Sequence, residues 1–405
     1  MKFTDGSSQG IVLPGGFAFS AVRAGIKASG RLDLATVQAC PGTSAAAAFT
    51  KNRVIAAPLR TAKTFLKSSK GRVRGVIVNS GNANCATGDA GMKGCQRVCK
   101  EAARLAGAKM EEIFPASTGI IGVPFPTEKI VAKLPELIAQ ATTSELGVRQ
   151  FAEAILTTDT HAKLASATIP VRKGKVALLG VAKGSGMIHP QLATMLVYLF
   201  TDLVATPRQL RALLKEACNQ TFNCISVDGD TSTNDTVLLL ASGQSGVRLK
   251  DSGVAKAFHS ALLEVCRSLA EQIVSDGEGV RHVIRLFIEQ AKNQKEALQV
   301  ARAIAHSSLV KTAWAGADPN WGRILAAAGY SGAALDPERV NIFLGDQQVC
   351  RAGQAHPFDE AAAHRDLSQP QCDVRVQLGR GRAQIRFYTT DLTEDYVHIN
   401  ADYST

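Results

Sequence analysis

The amino-acid sequence predicts an α/β fold on three grounds: amphipathic runs with helical spacing, short β-branched runs lying between them, and enough apolar chain for a sizeable core. The chain has 405 residues, 45% of them hydrophobic, a length that fits two or three lobes better than one small domain.

The first helix is expected at 89–106, where Met92, Cys95, Val98, Cys99, Ala102 and Leu105 recur at three- and four-residue spacing behind Gly88-Asp89. A second is expected at 206–221, with a Thr cap, Pro207 at the first helical position and a stripe of Leu210, Leu213, Leu214 and Ala217. Residues 253–274 and 295–310 follow the same pattern. Between the helices, the runs 75–79, 176–181, 195–202, 236–241, 283–289 and 340–344 read as strands. Residues 374–378 and 383–388 alternate in and out around Gly379-Arg380-Gly381, which predicts a hairpin. The polar stretch 353–371 is the nearest thing to a linker.

A formal charge of +11 invites an anionic partner. The Lys and Arg residues are nevertheless dispersed, aromatics are only 5%, and no recognition motif for DNA or RNA is present, so no nucleic-acid partner is expected. No run reaches the roughly 20 apolar residues needed to cross a bilayer, and the first ten residues lack the basic-then-apolar plan of a secretion signal. The expected location is the cytoplasm, with no membrane partner. The nine cysteines include no C-x-x-C pair, which argues against structural zinc or a disulfide framework.

Five segments are dense in Gly, Asn, Asp, Ser and Thr and flanked by regular structure, the usual setting of binding loops. They are Asn79-Ser-Gly-Asn-Ala-Asn84, Pro115-Ala-Ser-Thr-Gly119, 183–194 (Lys183-Gly-Ser-Gly-Met-Ile to Ala193-Thr194), 226–235 (with Asp228-Gly-Asp-Thr-Ser-Thr-Asn-Asp235) and Asp318-Pro-Asn-Trp-Gly-Arg323. Thr194 precedes an apolar strand-like run. A threonine hydroxyl needs a base, and its own α-amine, with a pKa of about 7.7 to 8.0, serves if the bond before Thr194 is cut. From these residues alone, a Thr opening a strand is more often structural, Pro115 to Gly119 more often a tight turn, and Lys183 and Glu278 more often solvated charges. Asp228-Gly-Asp230 resembles the start of a calcium loop, but Thr233 and Leu239 stand where Gly and Glu are needed. The Lys of 180–186 precedes its Gly-Ser-Gly, unlike that of a phosphate loop.

Taken together and in order, these strings, with the ending Asn400-Ala-Asp-Tyr-Ser-Thr405, resemble the ornithine acetyltransferase family of arginine biosynthesis over nearly the whole chain. The resemblance implies a self-processed α/β enzyme of sandwiched mixed sheets flanked by helices. Cleavage between Ala193 and Thr194 would give an α fragment, 1–193, with the oxyanion-hole loop, and a β fragment, 194–405, beginning at the nucleophile; two of each would assemble. It further implies Thr194 as nucleophile, Thr118 and Gly119 as oxyanion-hole pair, and Thr157, Lys183, Thr194, Glu278, Asn400 and Thr405 as substrate contacts. The implied substrates are N-acetylornithine and glutamate, with acetyl-coenzyme A a candidate alternative donor; the chemistry requires neither metal nor bound cofactor. The sequence departs from the family pattern at His161-Ala162, Arg281-His282 and Ala317, none of them a matched site residue. Two rivals remain open on sequence alone: a hydrolase or aminopeptidase using the same self-cleaved threonine, and a basic binding protein whose rich loops are only turns.

Overall fold

A computed structural model of the chain describes residues 2–4, 10–172, 174–189 and 195–402. Ala193, Thr194 and Thr405 lie outside the described residues. The chain divides into two compact units. The first comprises 1–184, 191–223 and 231–273, and the second 185–190, 224–230 and 274–405. These units follow chain contacts and cut the sequence differently from the two fragments expected from cleavage.

The first unit holds two sheets. A six-stranded sheet has the order β1 (Lys2–Thr4), β7 (Lys163–Val171), β8 (Gly174–Lys183), β9 (Leu196–Thr201), β10 (Thr236–Ala241) and β4 (Ser44–Phe49); a four-stranded sheet has the order β2 (Phe17–Val22), β3 (Leu34–Ala39), β5 (Gly75–Asn82) and β6 (Ile113–Ile120). Both are mixed, with β9 parallel to β10 and β5 parallel to β6. Every residue of β9 and β10 is buried, as expected of central parallel strands covered on both faces. The two sheets share one core. Phe17 and Phe19 of β2 meet the edge of Phe200 on β9 with ring centroids 5.3 and 5.1 Å apart, and Val37, Val78 and Phe114 join the same cluster as Leu179, Val181 and Leu238. Each such side chain contributes about 1.5 to 3 kcal/mol through burial.

Helices close the sandwich. α2 (Gly88–Ala106) and α3 (Thr127–Ala139) set Cys95, Val98, Cys99, Ile130 and Leu134 against Ile77 and Ile113, on the other face of the four-stranded sheet. α1 (Ala57–Ser68) lies along β6, and α4 (Glu145–Ala154) sends Val148 and Phe151 into the shared core. α5 (Pro207–Gln220) packs on β4 behind a capping box in which Thr206 and Gln209 exchange hydrogen bonds. α6 (Val254–Ser275) crosses β8 so closely that a Cβ at Gly180 would stand 2.7 Å from Leu269.

The second unit has one six-stranded sheet, in the order β14 (Gln354–Ala355), β13 (Gln347–Arg351), β12 (Asn341–Leu344), β15 (Gln371–Gln377), β11 (Val283–Ala291) and β16 (Ala383–Thr390). α7 (Gln294–Ala305), α8 (Ser308–Ala315) and α9 (Trp321–Gly329) pack Val300, Ile304, Trp314 and Ile324 against Ile284, Leu286 and Phe387 of that sheet, and Leu367 of α10 (Glu360–Leu367) joins them. α11 (Glu394–Asp402) follows β16.

Four expectations are corrected. Residues 374–378 and 383–388 are strands but not a hairpin, because β11 lies between them, parallel to β15 and antiparallel to β16. The expected helix 295–310 is two helices, since the Ser307 side chain accepts the Val310 N–H and starts a new one. The stretch 353–371 carries β14 and α10 and is not a linker. Pro115 to Gly119 form no turn; they belong to strand β6.

Candidate active site

The register of the larger sheet in the first unit brings the ends of two of the Gly- and Asn-rich segments, 183–194 and 226–235, together. Leu196, which opens β9, lies opposite Lys183 at the end of β8 and beside Thr236 at the start of β10. Met195 N–H, the peptide next to Thr194, donates to Asp235 Oδ1 at 3.1 Å. Asp235 is fully buried, its Oδ2 has no hydrogen-bond partner among the described residues, and burial pushes its carboxyl well above the ordinary carboxylate value. The neighbouring Asn234 donates from Nδ2 to Ala83 O at 2.7 Å and to Ser117 O at 2.8 Å. The segment 232–235 therefore touches both the chain beside Thr194 and the strand carrying Thr118 and Gly119.

That strand is held by an asparagine network. Ser117 Oγ donates to Asn79 Oδ1 at 2.5 Å, Asn79 Nδ2 to Asn82 O at 2.8 Å, and Asn84 N to Asn82 Oδ1 at 2.8 Å. These contacts account for much of the composition of Asn79 to Asn84: Asn79 and Asn82 bind backbone at the buried strand end, and Asn84 Nδ2 reaches Gly91 O of α2 at 3.1 Å. Gly119 sits at φ +130°, opposite Gly81 in the parallel β5–β6 pair, and a Cβ there would lie 2.3 Å from the Gly81 carbonyl carbon. Only glycine fits. Thr118, one residue earlier, is buried at 5% exposure.

Thr157 and Lys183 also converge in the first unit. Lys183 Nζ donates to Thr157 Oγ1 at 2.6 Å and pairs with Asp159 Oδ2 at 3.2 Å. Asp159 further accepts Lys163 Nζ at 2.8 Å, Gly184 N at 2.5 Å and Thr157 N at 3.0 Å. Lys183, Lys163 and Asp159 are all buried. Burial raises the Asp159 carboxyl, but Lys183 and Lys163 override it and hold the group well below the usual carboxylate range. Two ammonium groups around one carboxylate leave a positive charge at the end of β8. Neither cation would remain buried without Asp159. Asp159→Asn should therefore destabilise the protein by about 3 kcal/mol. A carboxyl depressed on folding contributes fully above its unfolded pKa and loses its contribution as pH falls towards the folded value. The gap between wild type and Asp159→Asn in urea unfolding should thus be constant from about pH 5 to 8 and shrink below about pH 4. A gap that grows on acidification contradicts the assignment.

In the second unit, Glu278 Oε2 accepts Asn400 Nδ2 at 2.9 Å, so two sequence-matched residues meet although 122 positions apart. Gly186 lies against the same carboxylate, where an added Cβ would come within 2.4 Å of Oε2. The loop bearing Gly186 is tied down by Asp228, which accepts Met187 N at 2.6 Å and Ile188 N at 2.9 Å; Asp228 uses its oxygens on backbone. The fifth rich segment caps a helix: Asn320 accepts Arg323 N, opening α9.

The sequence reading missed Asp159, Asn234 and Asp235. The last two lie inside the rich segment 226–235 without an assigned role, and Asp159 stands among threonines; its partners Lys163 and Thr157 are local, whereas Lys183 and Gly184 are brought to it by the β7–β8 pairing.

The chain matches the ArgJ family over residues 18–405. It belongs to the ArgJ family of arginine-biosynthesis enzymes. Among its relatives is the arginine biosynthesis bifunctional protein ArgJ of Methylococcus capsulatus, 44% identical over 394 residues, covering 96% of this chain and 95% of the relative. The protein of the same name from Thermus thermophilus is 45% identical over 397 residues, covering 97% and 99%. Of solved structures, the bifunctional protein ArgJ of Bacillus halodurans is 40% identical, covers 49% of this chain and 95% of its own, and superposes with a TM-score of 0.48. No helix among the described residues is long and apolar enough to cross a membrane.

Proposed function

We propose that this enzyme moves an acetyl group from N-acetylornithine to glutamate through an ester on Thr194. Thr194 Oγ first attacks the Ala193 carbonyl carbon, the peptide C–N bond breaks, and water hydrolyses the resulting ester, leaving fragments 1–193 and 194–405. The freed α-amine then accepts the Oγ proton as Oγ bonds to the acetyl carbon, and the hydroxyl of Thr118 and the N–H of Gly119 bind the developing oxyanion. The C–N bond to ornithine breaks and the amine leaves with the proton. The α-amine of glutamate attacks the ester, N-acetylglutamate departs, and Oγ is reprotonated. Thr157, Lys183, Glu278, Asn400 and Thr405 bind the amino-acid ends of the substrates. Acetyl-coenzyme A is a second donor to be assayed, the fragments are proposed to assemble as two of each, and the proposed location is the cytoplasm.

The observation that carries this reading is segment 232–235, which reaches Met195, the neighbour of the proposed nucleophile, through Asp235 and the strand of the proposed oxyanion pair through Asn234. The net positive end of β8 suits a substrate carboxylate, and the Glu278 carboxylate suits an amine.

Glu278→Gln tests the substrate assignment. Loss of a charge-assisted hydrogen bond to an ammonium group is expected to lower kcat/KM on N-acetylornithine by about 10- to 150-fold, roughly 1.5 to 3 kcal/mol. An unchanged kcat/KM removes Glu278 from the substrate site. Product analysis in the same assay separates transfer from hydrolysis, because a hydrolase would release acetate whether or not glutamate is present.

A further inference from the structure

Segment 226–235 is conspicuous in the sequence, yet the proposed reaction uses none of its side chains. Asn234 lies within it and is buried at 4% exposure. Its Nδ2 donates to Ala83 O at 2.7 Å and Ser117 O at 2.8 Å, and its Oδ1 accepts the Thr233 hydroxyl at 2.5 Å. Both amide hydrogens and the amide oxygen are thus engaged.

The two carbonyls held by Nδ2 matter because of where they lie. Ser117 C=O belongs to the same planar peptide as Thr118 N–H, so fixing that oxygen fixes the plane from which Thr118 and then Gly119 continue. Ala83 follows β5, whose Ser80 and Gly81 pair with Thr118 and Gly119, and Ala83 N–H in turn donates to Ile120 O at 2.9 Å. One amide group therefore grips the chain on both sides of the Thr118-Gly119 step of the strand. In the same segment, Asp235 Oδ1 holds Met195 N–H, so the grip is referenced to the chain that bears Thr194.

We infer that Asn234 is the positioning residue of the oxyanion hole, clamping the strand of Thr118 and Gly119 in register with the start of β9. It touches neither substrate nor reacting atoms and acts through the Ser117 and Ala83 carbonyls. A side-chain amide is well suited to such a clamp, because it offers two donors in one plane at fixed separation, which two carbonyls can share without a buried charge. After cleavage, the clamp would be supplied by the β fragment to a strand of the α fragment.

This inference rests on Thr118 and Gly119 forming the oxyanion hole, so the test is a cycle of Asn234→Ala, Thr118→Ala and the double variant, assayed for N-acetylornithine to glutamate transfer. Thr118→Ala should lower kcat by about 100-fold or more. Asn234→Ala should lower kcat by about 30-fold with KM within about threefold, and in the Thr118→Ala background should cost less than about threefold further, because its effect passes through the same hole. Full additivity, or wild-type kcat in a folded Asn234→Ala enzyme, overturns the inference. Wild-type kcat in Thr118→Ala instead overturns the oxyanion assignment itself. Asn234→Ser keeps one donor and is made alongside, with thermal melting of each variant; it should fall between Ala and wild type in kcat. If both Asn234 variants are unfolded at the assay temperature, the residue serves folding rather than positioning, and the inference fails.

Discussion

Thr194→Ala is expected to leave a single uncut chain with acetyl transfer reduced by about 10⁴-fold or more, the loss found when the nucleophile of a covalent mechanism is removed. The size follows from the double use of one hydroxyl in the proposed mechanism. Without Oγ, no bond can form to the Ala193 carbonyl, so the chain stays whole and no free α-amine appears. Without the free amine and the hydroxyl, the acetyl group has no acceptor on the enzyme. Thr194→Ser separates the two uses, since serine keeps the hydroxyl and the amine. It should cleave and turn over more slowly than wild type but well above the alanine variant. Gel electrophoresis and initial rates on N-acetylornithine with glutamate read both outcomes together, and substantial transfer by an uncut Thr194→Ala protein would remove Thr194 from the mechanism.

Thr118→Ala carries the second large effect. Loss of one oxyanion donor raises the barrier by about 2.7 to 4 kcal/mol, so kcat should fall by about 10² to 10³. The proposed self-cleavage would pass through a tetrahedral oxyanion as well, at Ala193 rather than at the acetyl carbon, and should slow in parallel. Retained cleavage with lost transfer would mean that the two reactions use different donors. Because Thr118 is buried in a strand whose neighbours are locked by Asn79, Asn82 and Asn234, the alanine variant should keep its fold, and thermal melting checks this. Glycine at 119 is a separate matter: its φ and its contact with Gly81 make any substitution there a structural one first.

The parts of the fold legible in the sequence were those fixed locally. The β-branched and leucine-rich runs that became β9, β10 and β11 are strands, and the Thr-Pro start of α5 forms the capping box its residues imply. Strand partners were not legible. Residues 374–378 and 383–388 look like a hairpin because a Gly-Arg-Gly turn joins them, but β11, some ninety residues earlier, intervenes between the two, and pairing at that separation leaves no local trace. The alanine-rich β4 carries little intrinsic strand preference and is a strand because β10 pairs with it along its full length. Pro115 to Gly119 read as a turn from composition and is a strand because β5 lies alongside and the Asn network satisfies its ends.

The site divides in the same way. Its residue types were readable as five rich segments, and resemblance assigned roles to Thr118, Gly119, Thr157, Lys183, Thr194, Glu278, Asn400 and Thr405. Thr157 and Lys183 meet, as do Glu278 and Asn400. What no linear pattern could give is the supporting chemistry: Asp159 between two buried lysines, and Asn234 and Asp235 joining β6 to the start of β9. Apart from the Asp159–Lys163 pair, four residues apart, these are contacts between distant segments, made by side chains whose own neighbourhoods are ordinary.

Everything in the proposed mechanism depends on the bond between Ala193 and Thr194 being cut and on the new α-amine acting as the catalytic base. Intact-mass spectrometry of the purified wild-type protein, taken beside its specific activity, tests this most directly. Two polypeptides are expected, 1–193 and 194–405, with activity proportional to the cleaved fraction. A fully active preparation in which every molecule has the mass of the uncut 405-residue chain would contradict the mechanism.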